Sequence, residues 1–135
     1  MSQNLCYIQT ATFEEIAMSV CWIPASNGGV PPGASQAGQD KDGGKIFVGR
    51  AFHGTEVLCH GSIAWAPSRD GHVPQEALPV GYTSEGETLY AGRAFHDGTL
   101  TVGKVHPSHG VCYIPYGGQE IAYKEYEILI THLCH

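Results

Sequence analysis

The stretch Ser19 to His53, SVCWIPASNGGVPPGASQAGQDKDGGKIFVGRAFH, returns as Ser62 to His96, SIAWAPSRDGHVPQEALPVGYTSEGETLYAGRAFH. The shift is 43 residues and needs no gap. Of the 35 aligned positions 14 are identical, against about 2 expected from ordinary composition. Trp22 meets Trp65, Pro24 meets Pro67, Gly28 meets Gly71, and Gly49-Arg50-Ala51-Phe52-His53 meets Gly92-Arg93-Ala94-Phe95-His96. Self-similarity at a fixed period marks a repeat architecture, in which each unit buries its apolar face against its neighbour. The expectation is one pseudo-symmetric domain over residues 1–135, with a shortened first repeat at 19–61 and a second at 62–135.

Working outward, Lys45 to Ala51 and its mate Thr88 to Ala94 read as strands, each preceded by a turn signal, Lys41-Asp42-Gly43-Gly44 or Ser84-Glu85-Gly86. A glycine inside both strands, Gly49 or Gly92, suggests a bulge or a close backbone approach. Upstream, a turn-rich loop leaves a short strand that ends in Trp22 or Trp65, and neither copy has room for a helix. Downstream, residues 99–102, 104–106, 111–116, 119–123 and 126–131 are strand-like, punctuated by Gly103, Pro107-Ser108-His109-Gly110 and Gly117-Gly118. The second copy therefore carries about three strands that the first lacks. Cys6-Tyr7-Ile8 and Glu15-Ile16-Ala17 resemble Cys112-Tyr113-Ile114 and Glu120-Ile121-Ala122, so residues 1–18 are candidates to supply strands to the first repeat. Thr55-Glu56-Val57-Leu58 likewise resembles Tyr126-Glu127-Ile128-Leu129. The fold class expected is all-β, two pseudo-symmetric antiparallel units sharing one core.

Composition narrows the function. Hydrophobic residues make up 42%, charged residues only 15%, and the chain holds 18 Gly and 8 Pro, which suits short strands and many turns. Net charge is −6 and the seven Lys and Arg are scattered, which argues against nucleic-acid binding and against attraction to anionic membranes. No secretory signal or membrane-length apolar run is visible, and the five cysteines are irregularly spaced. Reduced thiols in a cytoplasmic setting are the simpler expectation, with unconventional secretion as the alternative.

The Trp-x-Pro-Ala/Ser-x-x-Gly-x-Val-Pro string, followed by Tyr90-Ala91-Gly92-Arg93-Ala94, Gly103-Lys104-Val105-His106-Pro107-Ser108, Cys112-Tyr113-Ile114-Pro115-Tyr116-Gly117-Gly118-Gln119-Glu120 and Tyr126-Glu127-Ile128-Leu129, resembles the DM-nine (DM9) repeat family. The resemblance implies an all-β fold, a homodimer, and mannose-specific lectin activity in innate-immune pattern recognition. It also implies a sugar held by an Asp in an Ala-Gly-x-Asp block and a Lys in a Pro-Gly-Lys block. The first block matches Ala37-Gly38-Gln39-Asp40 and the second matches Val102-Gly103-Lys104. Neither repeat carries both residues. Either Asp40 and Lys104 meet across the repeat interface, or the mannose site is degraded.

A carboxylate accepts hydrogen bonds from sugar hydroxyls and an ammonium donates to them, so Asp40 with Lys104 would suit a hexose without metal. The competing reading of Asp40 is a turn residue capping its own backbone, and that of Lys104 a solvated strand residue. Glu120 is suited either to a ligand hydroxyl or to tying down the Gly117-Gly118 turn. Tyr82 and Tyr116, beside glycines, are candidates for a site rim, whereas Trp22 and Trp65 fit a core better. Arg50 and Arg93 fit a paired structural role at the repeat interface. The run His106 to Cys112 offers imidazoles and a thiol, but a turn explains it better than a metal site. No nucleophile with its base, no phosphate loop and no HExxH motif appears, so an enzyme is not expected and no cofactor is implied. The leading expectation is thus a mannose-type lectin using Asp40, Lys104, Glu120, Tyr82 and Tyr116. The alternative is an intracellular protein–protein adaptor of the same fold.

Overall fold

The computed structural model describes residues 20–51, 54–59 and 62–131. The strands are β1 (Cys21–Ala25), β2 (Gln36–Gln39), β3 (Lys45–Phe47), β4 (Gly49–Ala51), β5 (Thr55–Cys59), β6 (Ile63–Arg69), β7 (Pro79–Tyr82), β8 (Thr88–His96), β9 (Thr99–His106), β10 (Val111–Tyr116), β11 (Gln119–Tyr123) and β12 (Glu125–Thr131). A 3-10 turn, Pro107–His109, links β9 to β10. One sheet has three strands in the order β1-β5-β4. The other has nine, with the path β11-β10-β9-β8-β12-β6, β7 added on β8, and β2 joining β3 to β9. Every pairing is antiparallel, so the chain is all-β as its turn spacing implied.

The repeat is written into the registers. Trp22 lies opposite Leu58 as Trp65 lies opposite Leu129, and Arg50 lies opposite Glu56 as Arg93 lies opposite Glu127. Strand β5 is therefore the counterpart of β12, and among the described residues β9, β10 and β11 have no counterpart in the first repeat. Each arginine sits over its tryptophan ring, at 4.1 Å for Arg50 on Trp22 and 4.3 Å for Arg93 on Trp65. Each also donates from Nε to its glutamate, at 2.8 Å to Glu56 and 2.7 Å to Glu127. Cation–π contact and charge-assisted hydrogen bond together fix the indole on the face of its sheet.

The repeats share a core. Trp22, Ala37, Val48 and Leu58 of the first pack with Ala91 and Leu129 of the second, and Trp65, Val80 and Val102 close around them. Leu58 and Leu129 are wholly buried, each contributing about 2–3 kcal/mol of hydrophobic transfer. A second cluster, with Val105, Cys112, Ile114 and Ile128, lies between strands of the second repeat. Burial pushes the Cys112 thiol up to about 12. The seam is also polar: Arg93 Nη1 donates to the Ala37 carbonyl at 2.7 Å. At Gly38 the absent side chain lets β2 of the first repeat reach β9, since a Cβ there would strike the Leu100 carbonyl.

Several expectations need correction. The strand of residues 45–51 divides at Val48, which turns into the core. The strands bearing Trp22 and Trp65 run on past the indoles to Ala25 and Arg69. Gly103 does not end a strand; β9 continues through it because the Tyr113 carbonyl occupies the space of a side chain. Cys59 and Cys112 are free thiols, but Cys21 is disulfide-bonded, which overturns a fully reduced chain. The strands proposed for residues 1–18, like Phe52, His53 and His60, lie outside the described residues. Among the described residues, no helix is long and apolar enough to cross a membrane.

Candidate functional site

Lys104 sits in β9 opposite Tyr113 of β10, and Glu120 sits in β11 opposite Pro115 of β10. Opposed residues share a face and alternate residues return to it, so Lys104, Tyr113, Pro115 and Glu120 all project from one side of the sheet. Lys104 Nζ lies 3.0 Å from Glu120 Oε2 and 5.9 Å from the centre of the Tyr113 ring. Ile46, Phe47 and Gly49 of the first repeat line the same cleft, of about 440 Å³. The ion pair stays about half exposed, at 45% for the Lys104 and 57% for the Glu120 side chain, so a ligand reaches it without opening the fold.

Behind Tyr113 a second row braces the site. The Tyr113 hydroxyl and His109 Nδ1 are 2.8 Å apart, and the His109 ring stacks on His106 at 3.6 Å. Glu87 accepts from both the backbone N–H and the hydroxyl of Ser108, each at 2.7 Å, which holds its carboxyl below the usual carboxylate range. These bonds fasten the 3-10 turn to the start of β8. The His106 to His109 run is thus a braced turn beside the cleft.

Asp40 does other work. Its Oδ1 accepts from the backbone N–H groups of Asp42 at 3.0 Å and Gly44 at 2.8 Å. In the second repeat Thr83 Oγ1 accepts from Glu85 at 3.2 Å and Glu87 at 3.0 Å. Acid and hydroxyl cap equivalent turns, and Gly44 is needed because a side chain there would press on the Asp40 carboxylate. The Asp40–Lys104 pair does not meet. Gln39 lies opposite Leu100, which carries Asp40 away from Lys104 and separates the two by about five residues, or ~16 Å, along the sheet.

Tyr116 also belongs elsewhere. Its hydroxyl donates to Asp97 Oδ2 at 3.0 Å, the same oxygen that Lys41 Nζ approaches at 3.1 Å. The hydrogen bond from Lys41, then that from Tyr116, holds the Asp97 carboxyl below its ordinary value, and the Asp97 partner raises Lys41. Tyr82, on β7, is 69% exposed and is not among the residues lining the cleft. Of the five candidates, then, Lys104 and Glu120 come together. Tyr113 and Phe47 join them unannounced by the motifs. Tyr113 was legible only through its register with Lys104.

With this geometry in place, a family model of the DM9 repeat matches the chain twice, over residues 2–58 and 52–123. The chain belongs to the DM9 repeat family. Comparison with curated proteins gives no match. The second matched stretch contains the whole Lys104, Tyr113 and Glu120 cluster, whereas the first contains the Asp40 turn.

Proposed function

We propose that this protein binds carbohydrate, as a lectin, through Lys104 and Glu120 over the Tyr113 ring. The observation that carries this reading is an ammonium–carboxylate pair poised beside an aromatic ring in a cleft between the repeats. Glu120 accepts from vicinal hydroxyls, Lys104 donates to their lone pairs, and the ring offers a flat apolar face. Lys104 itself supplies the positive charge, so binding needs no metal. Mannose-type glycans are the proposed ligands, innate recognition of microbes the proposed role, and a homodimer the proposed assembly.

The test is isothermal titration with mannose, with and without a chelator. Binding is expected to be chelator-insensitive, abolished by Lys104→Ala and weakened about tenfold by Glu120→Gln, the loss of one charge-assisted bond. Asp40→Ala should leave affinity unchanged. Loss of binding in Asp40→Ala with Lys104→Ala intact would sink this placement. The adaptor reading draws support from Asp40, whose carboxylate is already engaged by its own turn. No heat with mannose or with a wider sugar panel would favour it.

A further inference from the structure

A second hollow, of about 400 Å³, lies away from the Lys104 cleft and is lined by Arg93, Phe95, Leu100, Tyr123, Glu125 and Glu127. Phe95 is 75% exposed, the most open large apolar side chain among the described residues. A phenyl ring standing in water on a β-strand gives the core nothing and leaves its face open to a ligand. Of the polar groups around it, Glu127 is the firmly held one. Glu127 is held through Oε1 by Arg93 Nε at 2.7 Å, and Arg93 is itself tied to the Ala37 carbonyl. Glu125 Oε2 lies 3.3 Å from Arg69 Nη1, whose Nε also approaches Asp70 Oδ2 at 3.1 Å, and the Tyr123 hydroxyl lies 2.6 Å from His96 Nδ1.

This arrangement selects a class of ligand. Glu125, Glu127 and Asp70 share the two guanidiniums of Arg69 and Arg93, so the hollow is slightly acidic and does not favour an anion. Each carboxylate has lone pairs beyond the one its arginine uses, and these remain strong acceptors for hydroxyl donors. An open aromatic face beside positioned acceptors fits a neutral ring that is apolar on one side and hydroxylated at its edge. We propose that the Phe95 hollow is a second saccharide site that takes a neutral hexose, stacked on Phe95 and hydrogen-bonded to Glu125 and Glu127.

The two sites are independent. Phe95 lies opposite Leu100, while Lys104 lies opposite Ala91, four residues farther along both strands, or ~13 Å. One sugar ring cannot touch both, so a single chain engages two sugars and gains avidity on a branched or clustered glycan.

The test is amide-shift mapping of the full chain titrated with the methyl glycosides of mannose, glucose, galactose and N-acetylglucosamine. At least one is expected to move Phe95, Leu100 and Tyr123. Phe95→Ala should raise the dissociation constant read at Leu100 and Tyr123 about tenfold, with shifts at Lys104 and Tyr113 unaltered. Phe95→Leu, which keeps an apolar side chain but removes the ring, should weaken it similarly. Shifts confined to the Lys104 region, or an undiminished response in both Phe95 variants, would overturn the second site. Shifts confined to the Phe95 region would uphold it and overturn the Lys104 reading. No shift with any glycoside would overturn both.

Discussion

Asp40 and Thr83 occupy matching turns and accept the same pair of backbone N–H groups. The chemistry of the turn needs only a short side-chain oxygen, which is why one repeat uses a carboxylate and the other a hydroxyl. Asp40→Asn keeps an acceptor in place and is expected to change stability by less than ~0.5 kcal/mol, whereas Asp40→Ala removes it and costs about 1 kcal/mol. Urea unfolding of the two variants checks this, and equal destabilisation by both would show that the charge rather than the acceptor matters. The capping role was legible in Lys41-Asp42-Gly43-Gly44. The partner of Lys104 was not, because Glu120 reaches it only through the register of three strands that the motif blocks do not encode.

At the scale of elements, Lys41, Asp97 and Tyr116 latch the turn after β2 to the β8–β9 turn and the end of β10. Asp97 and Gly98 both have positive φ, at 50° and 79°, the backbone of a two-residue hairpin that suits Asp-Gly. This geometry aims the Asp97 carboxylate at Lys41 of the other repeat. Its folded value is depressed, so its contribution is complete above the ordinary carboxylate value and fades as pH falls through the folded one. Lys41 is raised, so its share is complete below the ordinary lysine value and is lost only as strong alkali reaches the folded one. The Asp97 carboxyl followed by NMR should therefore titrate below the ordinary range and move upward in Lys41→Met. Any stability difference between the two proteins should vanish in acid below the wild-type midpoint. An unchanged Asp97 midpoint in the variant would dissolve the latch. The turn signals at Gly110 and Gly117-Gly118 announced the turns on either side of β10, whereas the Asp97-Gly98 turn was not read from the sequence. The continuity of β9 through Gly103 escaped notice because only the facing Tyr113 carbonyl explains that glycine.

Over the whole molecule, the repeats cannot be separated without exposing what they share. Trp22, Val48 and Leu58 pack on Ala91 and Leu129, β2 adds to β9, and Arg93 bonds Ala37 across the seam. The period of 43 residues made the symmetry visible, and Trp at matching positions made a core visible. That the units share a core was expected from the same repetition, because each repeat must bury its apolar face against its neighbour, and Trp22, Leu58, Ala91 and Leu129 in one cluster bear it out. A shared core demands a single cooperative transition. The two tryptophans report it, one in each repeat, once Trp22→Phe and Trp65→Phe isolate each indole. Urea titrations of the two variants, followed by fluorescence and by circular dichroism, should give coincident curves within each protein. Fluorescence that departs from circular dichroism in either variant would mean that one repeat unfolds before the other. The seam would then be a contact between two finished units, and a cleft built across it would open well before the fold is lost.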